Sequence, residues 1–332
     1  GMNQMRVINA ISHGVLISFA TGVLVLALND HVICQPLKKL ASTQNAPYVV
    51  VLGITQDGGY PQAGCRKECC RLHLNIPKKH RHVVCLAVVD PASHQRWLVE
   101  CTPHFREQLH RLDQISPSTD RIGLDGIFLT HAHIGHYAGL IHLGREVMGA
   151  DRVPVYSMPR MKRFLETNGP WSQLVTAKNI AIRELEDVRA VKLNERLSIT
   201  PLLVPHRDEY SETVGFRIQG PTRSALFLPD IDKWDRWDTK IEDVIRDVDV
   251  AWLDGTFFAD GELPGRDMSK IPHPFIAESI RRFSDLPAVE RNKIRFIHFN
   301  HTNPVLDPRS PATKRIQSAG HHSAAEGEHF EL

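Results

Sequence analysis

The segment Phe128-Leu129-Thr130-His131-Ala132-His133-Ile134-Gly135-His136 places three imidazoles within six residues, directly after a short apolar run. His131 and His133 are two apart, so in extended backbone their side chains leave on the same face. Gly135 permits a tight turn, and His136 then stands at the start of a following helix. A strand, a turn and a helix start can thus aim three side chains at one point. Neutral imidazole is the commonest nitrogen ligand for zinc, and it also suits iron, copper and nickel. A lone histidine is more often a surface or capping residue, but three at this spacing point to a metal.

A second group of soft ligands lies upstream. Of the six cysteines, Cys65, Cys69 and Cys70 fall within six residues. That is metal-ligand spacing more than a disulfide framework for a chain of this length, with a disulfide from Cys65 to Cys69 or Cys70 as the alternative. The basic run Lys78-Lys79-His80-Arg81-His82 follows closely. It reads as a solvated loop, with a phosphate grip as the sharper alternative.

The surrounding sequence supplies elements able to position these groups. Pro47–Ile54 is a buried strand closed by Asp57-Gly58-Gly59, and Val83–Val89 and Gln95–Cys101 are two more. Helical spacing marks Pro103–Leu112, Tyr137–Met148, Arg160–Asn168 and Pro274–Phe283. Short strands alternate from Ile182 to Ile218, and Arg223–Leu228, Val248–Leu253 and Ile294–Phe299 are apolar strands. Polar residues recur at the C-terminal ends of these strands, where α/β sheets place their sites. Residues 47–332 thus read as one α/β domain, without an internal repeat.

The 332 residues carry a formal net charge of +2, which gives no reason to expect nucleic acid as a partner. Residues 1–46 read as a leader and linker. Arg6 precedes the apolar run Gly14–Leu28, which is closed by Asn29-Asp30. A basic start and an apolar run of this length match a secretory signal or a membrane anchor, hence an exported or periplasmic protein. A buried N-terminal helix in a cytoplasmic protein is the alternative.

The histidine cluster resembles the signature of the metallo-β-lactamase superfamily, whose usual form is His-x-His-x-Asp-His. Gly135 stands where the superfamily has the aspartate that serves its second metal, which implies a weakened second site or a mononuclear one. The resemblance implies a four-layer αβ/βα sandwich with ligands on loops along one edge. It also implies further ligands. His206, in Pro205-His206-Arg207, matches the third ligand of the first metal. Asp230, ending Ser224–Asp230, matches the metal-bridging aspartate, with Asp254 of Leu253-Asp254-Gly255-Thr256 as its rival. His298, ending the last strand, matches the final ligand of the second metal, with His301 as its rival.

The loop from Gln56 to Cys70 is similar to that of the branch containing coenzyme PQQ synthesis protein B and the phosphodiesterase of the phosphonate pathway. Leu253–Phe257, the stretch from His298 to Pro304 and the ending Glu326–Leu332 extend the likeness, which runs from about Tyr48 to the C-terminus. In those relatives cysteines in this loop hold a structural zinc. The resemblance therefore implies a site of Cys65, Cys69 and Cys70 closed by His301.

A cation held by three imidazoles with an open position brings the pKa of water toward neutrality. The expected function is a hydrolase acting on a small molecule: an ester, thioester, lactone, amide or phosphodiester. Asp230 and His298 are the catalytic candidates, with Asp208, Tyr210 and Asp254 around the substrate or behind the ligands. Zinc is the expected metal, one or two at the active site and one structural, with iron or manganese as alternatives. Two rival readings are an iron-dependent oxidative enzyme related to PQQ synthesis and a non-catalytic metal-binding protein.

Overall fold

Both faces of the first strand are buried. In β1 (Tyr48–Gly53) Val49 and Val51 enter one apolar cluster, while Tyr48, Val50 and Leu52 enter another. A strand packed on both faces needs an apolar residue at every position, which is why this segment reads as an unbroken apolar run. The computed structural model describes residues 45–332, so the expected leader falls, except for its last two residues, outside the described residues.

β2 (Cys85–Asp90), β3 (Gln95–Val99), β4 (Gly126–Phe128), β5 (Val153–Ser157) and β6 (Ile180–Glu184) continue the first sheet. β7 (Val191–Lys192), β8 (Ser198–Leu203), β9 (Val214–Gln219), β10 (Ser224–Leu228), β11 (Val250–Asp254), β12 (Ile294–Ile297) and β13 (His322–Ser323) make the second, and β14 (His329–Glu331) returns to the first. The spatial orders are β14-β1-β2-β3-β4-β5-β6 and β13-β12-β11-β10-β9-β8-β7. Each sheet is mixed: β3 to β6 run parallel, as do β10 to β13, and the remaining pairs are antiparallel.

The inner faces meet in one core, where Val88, Trp97 and Phe128 from the first sheet join Phe216, Trp252 and Phe296 from the second. Truncating a fully buried tryptophan such as Trp252 removes about 3–5 kcal/mol. Beyond the short α1 (Glu68–Arg71) in the loop after β1, α2 (Phe105–Ile115) lies outside the first sheet and buries Phe105, Gln108 and Leu112, one face of a helix. α4 (Pro159–Thr167) adds Met161 and Leu165, and α5 (Trp171–Thr176) adds Trp171 and Leu174. Outside the second sheet, α6 (Ile241–Arg246), α7 (Ile276–Arg282) and α9 (Pro311–Ser318) bury Ile245, Ile276 and Ile316, and a short α8 (Ala288–Arg291) follows α7 in the chain. Ser310 caps α9 by accepting from the Thr313 N–H, and Pro311 fills its first turn. The result is the four-layer αβ/βα sandwich that the sequence resemblance implied.

One expected helix is different. Tyr137–Met148 is realised as a short α3 (Ile134–Tyr137) followed by 3-10 turns over Ala138–Leu143. A Cβ on Gly139 would lie 2.2 Å from the Thr102 carbonyl, so this stretch is pressed against the Cys101–Phe105 backbone and winds more tightly.

Candidate metal centre

The loops that follow β1, β4, β8, β10, β11 and β12 converge at one edge of the two sheets. They bring His131, His133, His206 and Asp230 together, with one ligand atom from each lying within 4.8 Å of the others. A second group of Asp57, His136 and His298 meets the same criterion. Asp230 lies between the two. Its Oδ2 is 3.3 Å from His131 Nε2, 3.8 Å from His136 Nε2 and 3.9 Å from His298 Nε2, and its Oδ1 is 3.2 Å from His206 Nε2.

All of the sequence-expected ligands therefore meet. Of the two rivals, His298 lies at this centre and His301 lies with the cysteines. The expected weakness at Gly135 also meets an answer. The Gly135 N–H donates to Asp57 Oδ1 at 2.7 Å, and a Cβ at 135 would stand 2.4 Å from that oxygen. A carboxylate from the loop after β1 thus occupies the space where an aspartate side chain at 135 would begin.

The ligands are held from behind by two matching relays. The Thr130 hydroxyl donates to Glu100 Oε1 and lies 2.8 Å from His131 Nδ1, which donates to it. Across the centre the Thr256 hydroxyl donates to Asp254 Oδ1 at 2.7 Å and lies 2.8 Å from His298 Nδ1. Glu100 also accepts from His136 Nδ1 at 3.1 Å, and Glu209 faces His133 Nε2 at 3.0 Å. Such partners fix the tautomer, so that the opposite ring nitrogen keeps its lone pair for a cation. Glu100 (φ +84°) and His298 (φ +68°) both hold left-handed backbone, which costs a non-glycine residue of order 1 kcal/mol or more.

The electrostatics follow from burial and this crowding. Burial alone would raise Asp230, but His206, His273 and His298 around it overcome that and hold its carboxyl well below the usual range. Burial and the neighbouring His136 hold His131 well below the ordinary imidazole range. Burial likewise takes His298 down to about 4, against the pull of Asp230. His136 goes the other way, to about 9, because burial is overcome by Glu100, Asp57 and Asp230 together.

Several buried polar atoms here have no hydrogen-bond partner: His136 Nε2, both ring nitrogens of His206, Asp230 Oδ1 and His298 Nε2. Buried polar atoms are almost always paired. Orphans on one carboxylate and on three imidazoles whose Nε2 atoms lie 3.2–3.9 Å from it fit a bound cation.

Sequence reasoning missed Asp57, His273, Glu100, Thr130 and Thr256. His273 Nδ1 lies 2.8 Å from Asp254 Oδ2 and 3.2 Å from Asp230 Oδ1. Asp254 is thereby at the centre's edge, where its Oδ2 also accepts from the Ile231 N–H at 3.1 Å. Asp208 and Tyr210 stay outside both ligand groups. Asp208 accepts from the Thr213 hydroxyl at 2.9 Å, and Tyr210 is exposed with its ring 5.4 Å from that of Phe164.

A separate cluster forms from Cys65, Cys69, Cys70 and His301. Cys65 Sγ and Cys69 Sγ are 3.8 Å apart, and His301 Nδ1 is 3.8 Å from Cys69 Sγ and 3.4 Å from Cys70 Sγ. A tetrahedron with arms of about 2.3 Å has edges of about 3.8 Å, whereas a disulfide needs about 2.05 Å. Burial and the adjacent thiols push Cys70 up to about 12, so without a cation it stays protonated.

With fold and geometry in place, a β-lactamase superfamily domain profile matches residues 95–299, more than half of the chain, and the chain belongs to that superfamily. Within it the chain is similar to coenzyme PQQ synthesis protein B of Bradyrhizobium diazoefficiens, 25% identical over 313 residues, covering 84% of this chain and 97% of the relative. Zinc-bound PqqB from Methylobacterium extorquens shares the fold with a TM-score of 0.73 at 22% identity, covering 86% of this chain and all of that one. A diphosphatase of the PhnP family follows with a TM-score of 0.61 at 21% identity, covering 86% of this chain and 97% of that one.

Proposed function

We propose that this chain is a metal-dependent hydrolase with a two-cation centre, one cation on His131, His133 and His206, the other on Asp57, His136 and His298, and Asp230 between them. The observation that carries this is the set of orphaned nitrogens and oxygen that Asp230 and the imidazoles turn toward one space. Zinc is the metal this donor set suits, and a zinc-bound structural neighbour supports it. Divalent cations held there would supply Lewis acidity, polarising a carbonyl or phosphoryl oxygen and acidifying water.

The chain's own groups do the rest. Thr130 with Glu100, and Thr256 with Asp254, keep the imidazoles aimed inward. Asp230, ionised by its neighbours, orients a water nucleophile and accepts its proton, which it can then deliver to a leaving group. His273, held between Asp254 and Asp230 and pushed up to about 10 by the two carboxylates against burial, is a positive neighbour that keeps Asp230 ionised. The substrate class is a small ester, thioester, lactone, amide or phosphodiester. The cysteine cluster with His301 holds a structural zinc that fixes the loop after β1 and the segment after β12, from which Asp57 and His298 come. The apolar run Gly14–Leu28 supports export or anchoring, and cell fractionation with a leader-deleted control tests it.

A second reading is favoured by the near full-length likeness to coenzyme PQQ synthesis protein B: a step in making such a cofactor, with iron at the same ligands. Zinc-loaded protein assayed on an ester, lactone, thioester and phosphodiester panel, beside His133→Ala, separates the two. Turnover lost in the variant supports the hydrolase. Iron as the resident metal, with oxygen consumption and no hydrolysis, overturns it.

A further inference from the structure

The basic run Lys78–His82 is not at the metal centre. Lys78, His80, Arg81 and His82 form one wall of a cavity of about 620 Å³ on a different part of the domain, whose lining contains none of the residues of the metal centre or the cysteine cluster. Volumes of this size hold drug-sized ligands. Ile54, Phe299, Val305 and Leu306 supply apolar lining, and Lys78, Arg81 and Arg111 supply three fixed cations. Three further lining residues, His80, His82 and His322, are imidazoles.

Glu326 is the one carboxylate among the lining residues, and it is already engaged. It accepts from the His82 N–H at 2.6 Å and from Arg111 at 3.1 Å, with His82 Nδ1 at 3.3 Å. Arg81 is different. Its guanidinium donates only to the carbonyls of Lys78 and His80, at 3.1 and 2.7 Å, and no carboxylate pairs with it among the described residues. Lys78 is exposed and likewise has no acidic partner there. Asp307 lies toward Lys79 and is not part of the lining. A cavity with surplus cations on one wall and apolar residues on another selects an anion with an apolar body, and the planar guanidinium fork matches a carboxylate, phosphate or sulfonate head.

We infer that this cavity is a second binding site, separate from the metal centre, for a small organic anion whose apolar body packs on Phe299 and Leu306 and whose charged head is held by Arg81 and Lys78. The Phe299 N–H donates to the Ile54 carbonyl and its own carbonyl accepts from the Gln56 N–H, both at 2.9 Å. The floor of the cavity is therefore continuous with the backbone that carries Asp57 and His298.

The test is a fluorescence titration of the full chain with 8-anilinonaphthalene-1-sulfonate and, as its uncharged counterpart, N-phenyl-1-naphthylamine. Arg81→Gln and Lys78→Gln are compared with the parent, with circular dichroism and metal content confirming fold. The expected result is an anion affinity weakened about tenfold or more by Arg81→Gln, and less by the exposed Lys78→Gln, with the uncharged probe unaffected. Anion affinity unchanged in both variants would overturn the site. So would loss of anion binding in His133→Ala, which would place the probe at the metal centre.

Discussion

Asp57 Oδ1 accepts a hydrogen bond from the Gly135 N–H at 2.7 Å and fills the space that a side chain at 135 would need. The two residues are far apart in sequence, yet they behave as one position. The glycine gives up its side chain so that a carboxylate from another loop can stand beside His136 and His298.

This pairing predicts a swap. Gly135→Asp alone puts a Cβ 2.5 Å from the Asp57 Cα, and overpacking of this kind costs about 1–3 kcal/mol. Combined with Asp57→Gly, the same change restores a carboxylate to the space it vacates. Thermal midpoint and metal content should both fall in Gly135→Asp; metal content should recover in the double variant, while the midpoint recovers only in part, because position 57 keeps the Cα that the new Cβ meets. Additive losses in the double variant would show that the two positions are independent.

The Thr256 relay predicts an effect through metal affinity. Thr256→Val keeps the shape but leaves Asp254 Oδ1 and His298 Nδ1 without their shared partner. The expected costs are about 1–3 kcal/mol of stability and about 10–100-fold in the affinity of the cation on His298. Competition with a chelator measures the affinity, and an unchanged value would remove the relay from the site.

Much of this centre was legible, and the limits are physical. His131, His133 and His136 announce themselves because their spacing is local. His206, Asp230 and His298 could be placed only by resemblance, since nothing in their own spacing joins them. Asp57 is 78 residues from Gly135, and a turn aspartate before two glycines carries no sign of its partner. The signal that could have found it is the glycine itself: a ligand missing from a motif asks for a carboxylate elsewhere. His273 has no periodic context at all. It is carried to Asp254 by a loop whose own small cluster of Phe257, Met268, Ile271 and Phe275 forms only in three dimensions. Asp208 and Tyr210 were expected beside the substrate or behind the ligands from sequence proximity to His206, and the contacts they make are local, with Thr213 and Phe164.

Glu262 gives a pH prediction. Burial pushes its carboxyl up to about 7, against bonds from the Thr302 hydroxyl and the Phe258 N–H. A folded pKa above the unfolded value means that the unfolded chain releases this proton first as pH rises. Stability from this group is therefore present at low pH and is lost as pH climbs from about 4.5 to 7. In Glu262→Gln that loss is absent. Melting curves should show the parent losing ground to the variant between pH 5 and 8, and parallel curves would contradict the assignment.

The cysteine cluster predicts an independent effect. Cys69→Ser should remove one cation and loosen the loop carrying Asp57, seen as faster proteolysis there, while His131, His133 and His206 retain theirs. A parent protein that gives no free thiol at Cys65 and Cys69 after metal removal would point to a disulfide instead.

The most direct measurement is elemental analysis of reconstituted protein, parent beside Asp57→Ala. With two cations at the centre and one on the cysteines, the parent should hold about three per chain. Asp57→Ala should lose about one of them while keeping its circular dichroism. Equal metal content in the two proteins would contradict a centre completed by Asp57.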